Sequence, residues 1–151
     1  MLRHTSLLLC LLASACASEE PDETTPTQPL SGCQLETRAD AIAPGLAKTG
    51  AAGVTVELVE VVPALPARGD NRWVLDLSTG GTPLDGATVT PLPWMPDHGH
   101  GSTVDATVTP LGDGIHEVDP LNLWMPGLWE ISFDITGAAT DQVVFSLCIE
   151  G

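Results

Sequence analysis

The residues with chemistry to offer are gathered in Pro93-Trp94-Met95-Pro96-Asp97-His98-Gly99-His100-Gly101-Ser102. One thioether and two imidazoles fall within six residues there. Pro96 fixes its own φ, and Gly99 and Gly101, on either side of His100, permit backbone conformations a side chain would forbid. Sulfur and imidazole donors together suit a soft ion, copper above all, and suit magnesium or calcium poorly. Met125, in Trp124-Met125-Pro126-Gly127, is a candidate fourth donor. The chemistry expected is copper handling, with Met95, His98, His100 and Met125 as candidate ligands.

Each of these residues also has a plainer role open to it. His98 and His100 share a face if they lie on a strand and can converge on one ion in a Gly-rich loop, but they could equally be solvated turn residues. Met95 and Met125 each sit between Trp and Pro, where plugging the end of a core competes with ligation. Asp97 suits either a hydrogen bond that orients an imidazole or a turn. His116 reads as a partly buried strand residue. Trp94 and Trp124 are expected to cover the end of the core, and an indole face can also shield a cation. Imidazole must be neutral to ligate, so copper affinity is expected to weaken below about pH 6.

Catalysis finds little support. No Ser-His-Asp order accompanies a nucleophile elbow, and no Gly-rich loop leads from a strand into a helix. His98 and His100 lack an identifiable third ligand for hydrolytic zinc, and Asp97 and Glu117 make no recognisable acid–base pair. Two non-enzymatic classes stay open. One is a copper-binding protein that sequesters the ion or passes it on. The other is a metal-free accessory domain whose loop docks another envelope protein. They differ in whether the methionines face the imidazoles or enter the core.

Residues 1–15 read as an export signal: Arg3, then the apolar run from Leu7 to Leu12, then Ala13-Ser14-Ala15. Cys16 follows directly, as at a bacterial lipoprotein processing site, although Ala13 stands where Leu is usual. Plain secretion is the alternative. Residues 17–31 are acidic and rich in Thr and Pro, a composition that stays extended, so residues 16–32 are expected to be anchor and tether. No later stretch approaches the ~20 apolar residues of a membrane span. Cys33 and Cys148 remain, near the two ends of residues 33–151, and in an oxidising compartment they are expected to form a disulfide contributing roughly 2–4 kcal/mol. Thiolate ligation is the alternative, and their spacing does not point to it. Beyond Cys16 the 20 acidic residues face Arg38, Lys48, Arg68 and Arg72, a formal charge of 4 − 20 = −16. That balance argues against nucleic acid and anionic lipid surfaces as partners.

The elements that must hold the loop are strands. Val54, Val56 and Leu58 alternate with Thr55 and Glu57, and the apolar parity then slips to Val59 and Val61, as at a bulge. Arg68-Gly69-Asp70-Asn71 reads as a turn. Trp73-Leu75-Leu77, Ile115–Val118, Trp129 to Ile135 and Val143 to Ile149 continue the series. Ala87–Leu92 and Ala106–Leu111 are both Ala-Thr-Val-Thr-Pro-Leu, each expected to be cut short by its Pro. About seven strands without helical periodicity predict an all-β antiparallel sandwich of immunoglobulin-like size.

These residues resemble the YtkA-like family, often grouped with FixH-like proteins. The resemblance rests on Pro44-Gly45-Leu46-Ala47-Lys48 leading into Gly53-Val54-Thr55-Val56, on Met95-Pro96-Asp97-His98-Gly99-His100-Gly101, and on Met125-Pro126-Gly127-Leu128-Trp129-Glu130. It covers about Cys33 to Cys148. It implies a small extracytoplasmic β-sandwich, found alone as a lipoprotein or fused to metal-transport components, and hence a metal-transport or envelope protein as partner. His116 departs from the family, which commonly carries Tyr there. The membrane helix usual in FixH has no counterpart here, so a role in oxidase assembly is not implied.

Overall fold

Period-two alternation builds the protein. The computed structural model describes residues 32–151; the expected signal, Cys16 and the tether up to residue 31 lie outside them. A short 3-10 turn, Gly32–Leu35, precedes β1 (Ala47–Thr49), β2 (Val54–Val62), β3 (Gly69–Thr79), β4 (Thr82–Pro83) and β5 (Ala87–Met95). Then come β6 (His100–Gly101), β7 (Thr107–Gly112), β8 (Ile115–Leu123), β9 (Gly127–Gly137) and β10 (Asp141–Ile149). One antiparallel sheet runs β1-β2-β3-β8-β7 with β4 beside β3, and the other runs β10-β9-β5-β6. The seven longer strands are those the sequence pattern predicts, and the sandwich stands.

Alternate side chains of both sheets fill the space between them. Trp73 and Leu75 from the first sheet meet Ile131, Phe133 and Phe145 from the second in one buried cluster. Trp73 lies 6.2 Å from Phe133 and 6.3 Å, edge-on, from Phe145, ring centroid to centroid. Such tilted aromatic contacts add to the area that burial removes from water. The bulge falls where parity slips: the β2–β3 register shifts between Leu58 and Glu60. Val59 is the extra residue and faces solvent, while Val61 returns to the core.

Two expectations about local structure are corrected. Pro91 and Pro93 do not end β5, nor does Pro110 end β7. β7 is an edge strand, and β5 has only the two-residue β6 beyond it, paired at Trp94 and Met95, so both strands run past their prolines on a side where a missing N–H costs little. That explains why the same six residues occur twice: each sheet has one Pro-bearing edge that is a poor template for another strand. The opposite edge of the second sheet is covered instead. On β10, Ser146 exchanges backbone and side-chain hydrogen bonds with Asp40, and Lys48 Nζ donates to Val144 O at 3.1 Å. The other correction concerns Gly69, Asp70 and Asn71, which open β3 and are not a hairpin turn. The Asn71 amide bonds back to Ala67, and Asp70 accepts from Asn122, so the Arg-Gly-Asp tripeptide is part of the scaffold.

Cys33 and Cys148 are joined, with Cα atoms 5.3 Å apart and a sequence separation of 115. The bond fastens the 3-10 turn to β10 and removes both sulfurs from metal ligation. Among the described residues no helix is long and apolar enough to cross a membrane.

Candidate metal centre

β5 supplies the thioether and the turn after it supplies the imidazoles. Met95 ends β5 and pairs with His100 at the start of β6, so the chain reverses across residues 96–99. The N–H groups of His98 and Gly99 both donate to Met95 O, at 3.2 and 2.9 Å. Gly101 lies opposite Trp94, and a Cβ there would collide with the Pro93 carbonyl. Glycine is therefore needed for this close approach of the two strands.

His100 is held on three sides. Its ring stacks on Trp124 with centroids 5.2 Å apart and planes 23° from parallel, and it stands edge-on to Trp129 at 6.5 Å. Its Nδ1 lies 3.3 Å from Gly101 O. A carbonyl only accepts, so in the neutral ring Nδ1 carries the proton and Nε2 keeps its lone pair. A backbone carbonyl on one nitrogen with the other left free is a usual arrangement for a ligating histidine. His98 is exposed, its ring 5.8 Å from that of His100.

Gly127, the first residue of β9, has φ +120°, and a Cβ built there would lie 3.1 Å from Met95 Cε and 3.7 Å from His98 Nε2. The methyl end of Met95 and a ring nitrogen of His98 thus border the same small space, left open by a missing side chain. Met95 is fully buried at 0% exposure and belongs to the core cluster. Core packing and approach to the imidazoles, alternatives in the sequence, are combined in this one residue. The segment Trp124-Met125-Pro126 does end at this edge of the sandwich. What it presents to the imidazoles is Trp124 and Gly127, while the half-buried Met125 packs against the core and its carbonyl accepts from Trp129 Nε1 at 2.8 Å.

Other expectations change. Asp97 holds no imidazole: Arg38 donates to both its oxygens, Nη1 to Oδ1 at 2.9 Å and Nη2 to Oδ2 at 2.6 Å. The same guanidinium grips Glu36, with Nε to Oε1 at 2.9 Å and Nη2 to Oε2 at 2.7 Å. Hydrogen bonds from Arg38 hold both carboxyls below the usual carboxylate range. Sequence reasoning counted Arg38 only as charge. Its one visible signal is that it is the first basic residue after an acidic run. Trp94 and Trp124 are 46% and 41% exposed and do not cap the core; Trp73 and Trp129 lie inside it. His116 is buried with its Nδ1 3.0 Å from Gly114 O and its Nε2 3.2 Å from Ala87 O of the other sheet, so both nitrogens face backbone carbonyls between the sheets and neither is turned toward the His98–His100 edge. Glu117 is paired with Arg72.

Among the described residues no three of His, Cys, Asp and Glu converge as a metal-binding group. The group that joins the two imidazoles at this edge is the methyl end of Met95, across the space at Gly127.

No curated protein matches the chain. Among solved structures it is similar to FetP of uropathogenic E. coli strain F11, at 14% identity over 73% of this chain and 96% of that one, with a TM-score of 0.48. A copper-bound variant of FetP is similar at 13% identity over 72% and 97% of the two chains, again with a TM-score of 0.48. The family profile of YtkA-like proteins matches residues 48–134, which hold Met95, His98, His100, Met125 and Gly127. The chain belongs to the YtkA-like family.

Proposed function

We propose that this protein is an extracytoplasmic copper-binding lipoprotein that sequesters the ion or hands it to a metal-transport or envelope partner. The observation that carries the reading is the shared space at Gly127, bordered by Met95 Cε and His98 Nε2, with His100 presented beside it. Two imidazoles and a thioether form a soft donor set that favours Cu(I), and the imidazoles alone can hold Cu(II) less selectively. Met125, on the turn that carries Trp124, is the proposed additional donor. The role is binding, not catalysis. Metal analysis of the full chain after separate exposure to copper, zinc and nickel tests it: about one tightly held copper per chain, with zinc and nickel lost on washing, is the expected result. Equal retention of all three would point to the acidic surface.

The disulfide fits an oxidising compartment outside the cytoplasm. Anchoring rests on Ala13-Ser14-Ala15-Cys16, and diacylation at Cys16 is the proposed modification. Cys16→Ala should move the protein from the membrane to the soluble envelope fraction, and an unchanged distribution would replace the anchor with plain secretion.

The exposed indoles favour a second reading, a metal-free docking domain. Trp94 and Leu92 line an open groove of about 590 Å³ on the outer face of β5, and Trp124 is exposed beside the His loop. Under that reading the imidazoles contribute nothing to copper retention.

A further inference from the structure

The turn that carries His98 is locally weak. Both its backbone hydrogen bonds return to Met95 O, four residues back at most, and its side chains are exposed. Its long-range tie is the two-pronged bond from Arg38 to Asp97, 59 residues apart in sequence. Arg38 is itself oriented, because its Nε, the other N–H of Nη2 and its own backbone N–H (2.8 Å) are on Glu36. A planar guanidinium can grip two carboxylates at once in fixed geometry, which an ammonium cannot.

The segment that presents Arg38 is anchored beside the same site. Cys33 begins it, and its partner Cys148 stands opposite Leu128, with Ile149 opposite Gly127. Cys33, Glu36, Asp97, Gly127 and Cys148 all line one cavity of about 400 Å³. The disulfide thus fixes the start of the strap on one side and the strand opposite Gly127 on the other.

We infer that Arg38 is a positioning residue of the copper site, and that residues 32–38 form a strap, pinned by Cys33–Cys148, that holds His98 against the space at Gly127. This rests on the copper reading for the identity of the ligand, and on geometry alone for the positioning. Arg38 does not touch the ion. It fixes Asp97, and Asp97 fixes the backbone of its neighbour His98.

The test is a Cu(I) competition titration of the full chain against a chromophoric chelator, at low and high sodium perchlorate, whose anion does not ligate Cu(I). At low salt Arg38→Gln should bind Cu(I) roughly threefold to tenfold more weakly than the parent, a modest loss because the pair is exposed. Arg38→Lys should recover only part of it. Raising the salt screens the pair, so the gap between parent and Arg38→Gln should close. A residue that merely stabilised the fold would lower the unfolding temperature without this salt-dependent gap. Equal affinity of parent and Arg38→Gln at both salts overturns the inference and leaves the copper reading standing. If the parent binds no Cu(I), the copper reading fails, and hydrogen exchange of the metal-free protein decides positioning alone. Faster exchange of the His98 and Gly99 amides in Arg38→Gln supports it, and unchanged exchange overturns it.

Discussion

Replacing His98 and His100 together by Ala should lower Cu(I) affinity by at least about a hundredfold, since loss of even an outer partner of a ligand commonly costs ten- to a hundredfold. The fold should survive the change. His98 is exposed, His100 is half-buried, and neither contributes to the core cluster. The single variants should differ. His100 is preset by Trp124, Trp129 and Gly101 O, so its loss removes a donor whose orientation is already fixed. His98 stands on a turn with weaker ties, so His98→Ala should cost less. A competition titration of the three variants checks this order, and thermal unfolding of each separates lost ligation from lost structure. Copper retention equal to the parent in the double variant would leave only the acidic surface as a binding site and bring the docking-domain reading forward.

The second large effect comes from Met95, where two substitutions separate packing from ligation. Met95→Ala empties a fully buried position at the end of β5 and should destabilise the domain by about 2–5 kcal/mol. Met95→Leu keeps the volume and should cost less than about 1.5 kcal/mol. Leucine has no sulfur, so Met95→Leu should nonetheless weaken Cu(I) by about tenfold or more while changing Cu(II) far less. Urea denaturation of the metal-free variants gives the first pair of numbers and titration with each oxidation state gives the second. A Met95→Leu protein that binds both states like the parent would return Met95 to the core alone.

The strands were legible because a half-buried strand writes its two faces directly into alternate residues. Trp129, Ile131, Phe133 and Ile135 needed no tertiary information to be placed, and the slip at Leu58 announced its own bulge. The prolines were misread because sequence shows that Pro cannot join a ladder, but not on which side of the strand the ladder lies. Pro91, Pro93 and Pro110 all sit where the neighbouring edge is free or nearly so. The chemistry-bearing loop was legible from residue types, since Met95, His98 and His100 fall together in sequence. Its supports were not, because they come from distant segments. Trp124 on His100, Gly127 between Met95 and His98, and Arg38 on Asp97 are all consequences of which strands pair and where their turns end. Asp97 illustrates the limit most plainly: a carboxylate beside a histidine suggests a partner for the ring, yet a guanidinium from 59 residues away takes both oxygens.

X-ray absorption at the copper edge of the full chain, loaded with one equivalent of Cu(I), tests the donor set itself. The expected spectrum shows imidazole scattering together with a sulfur shell, and the sulfur shell should shrink or vanish in Met95→Leu while the imidazole signal remains. A first shell of oxygen and nitrogen alone, the same in parent and Met95→Leu, would contradict a thioether–imidazole copper site at this edge of the sandwich.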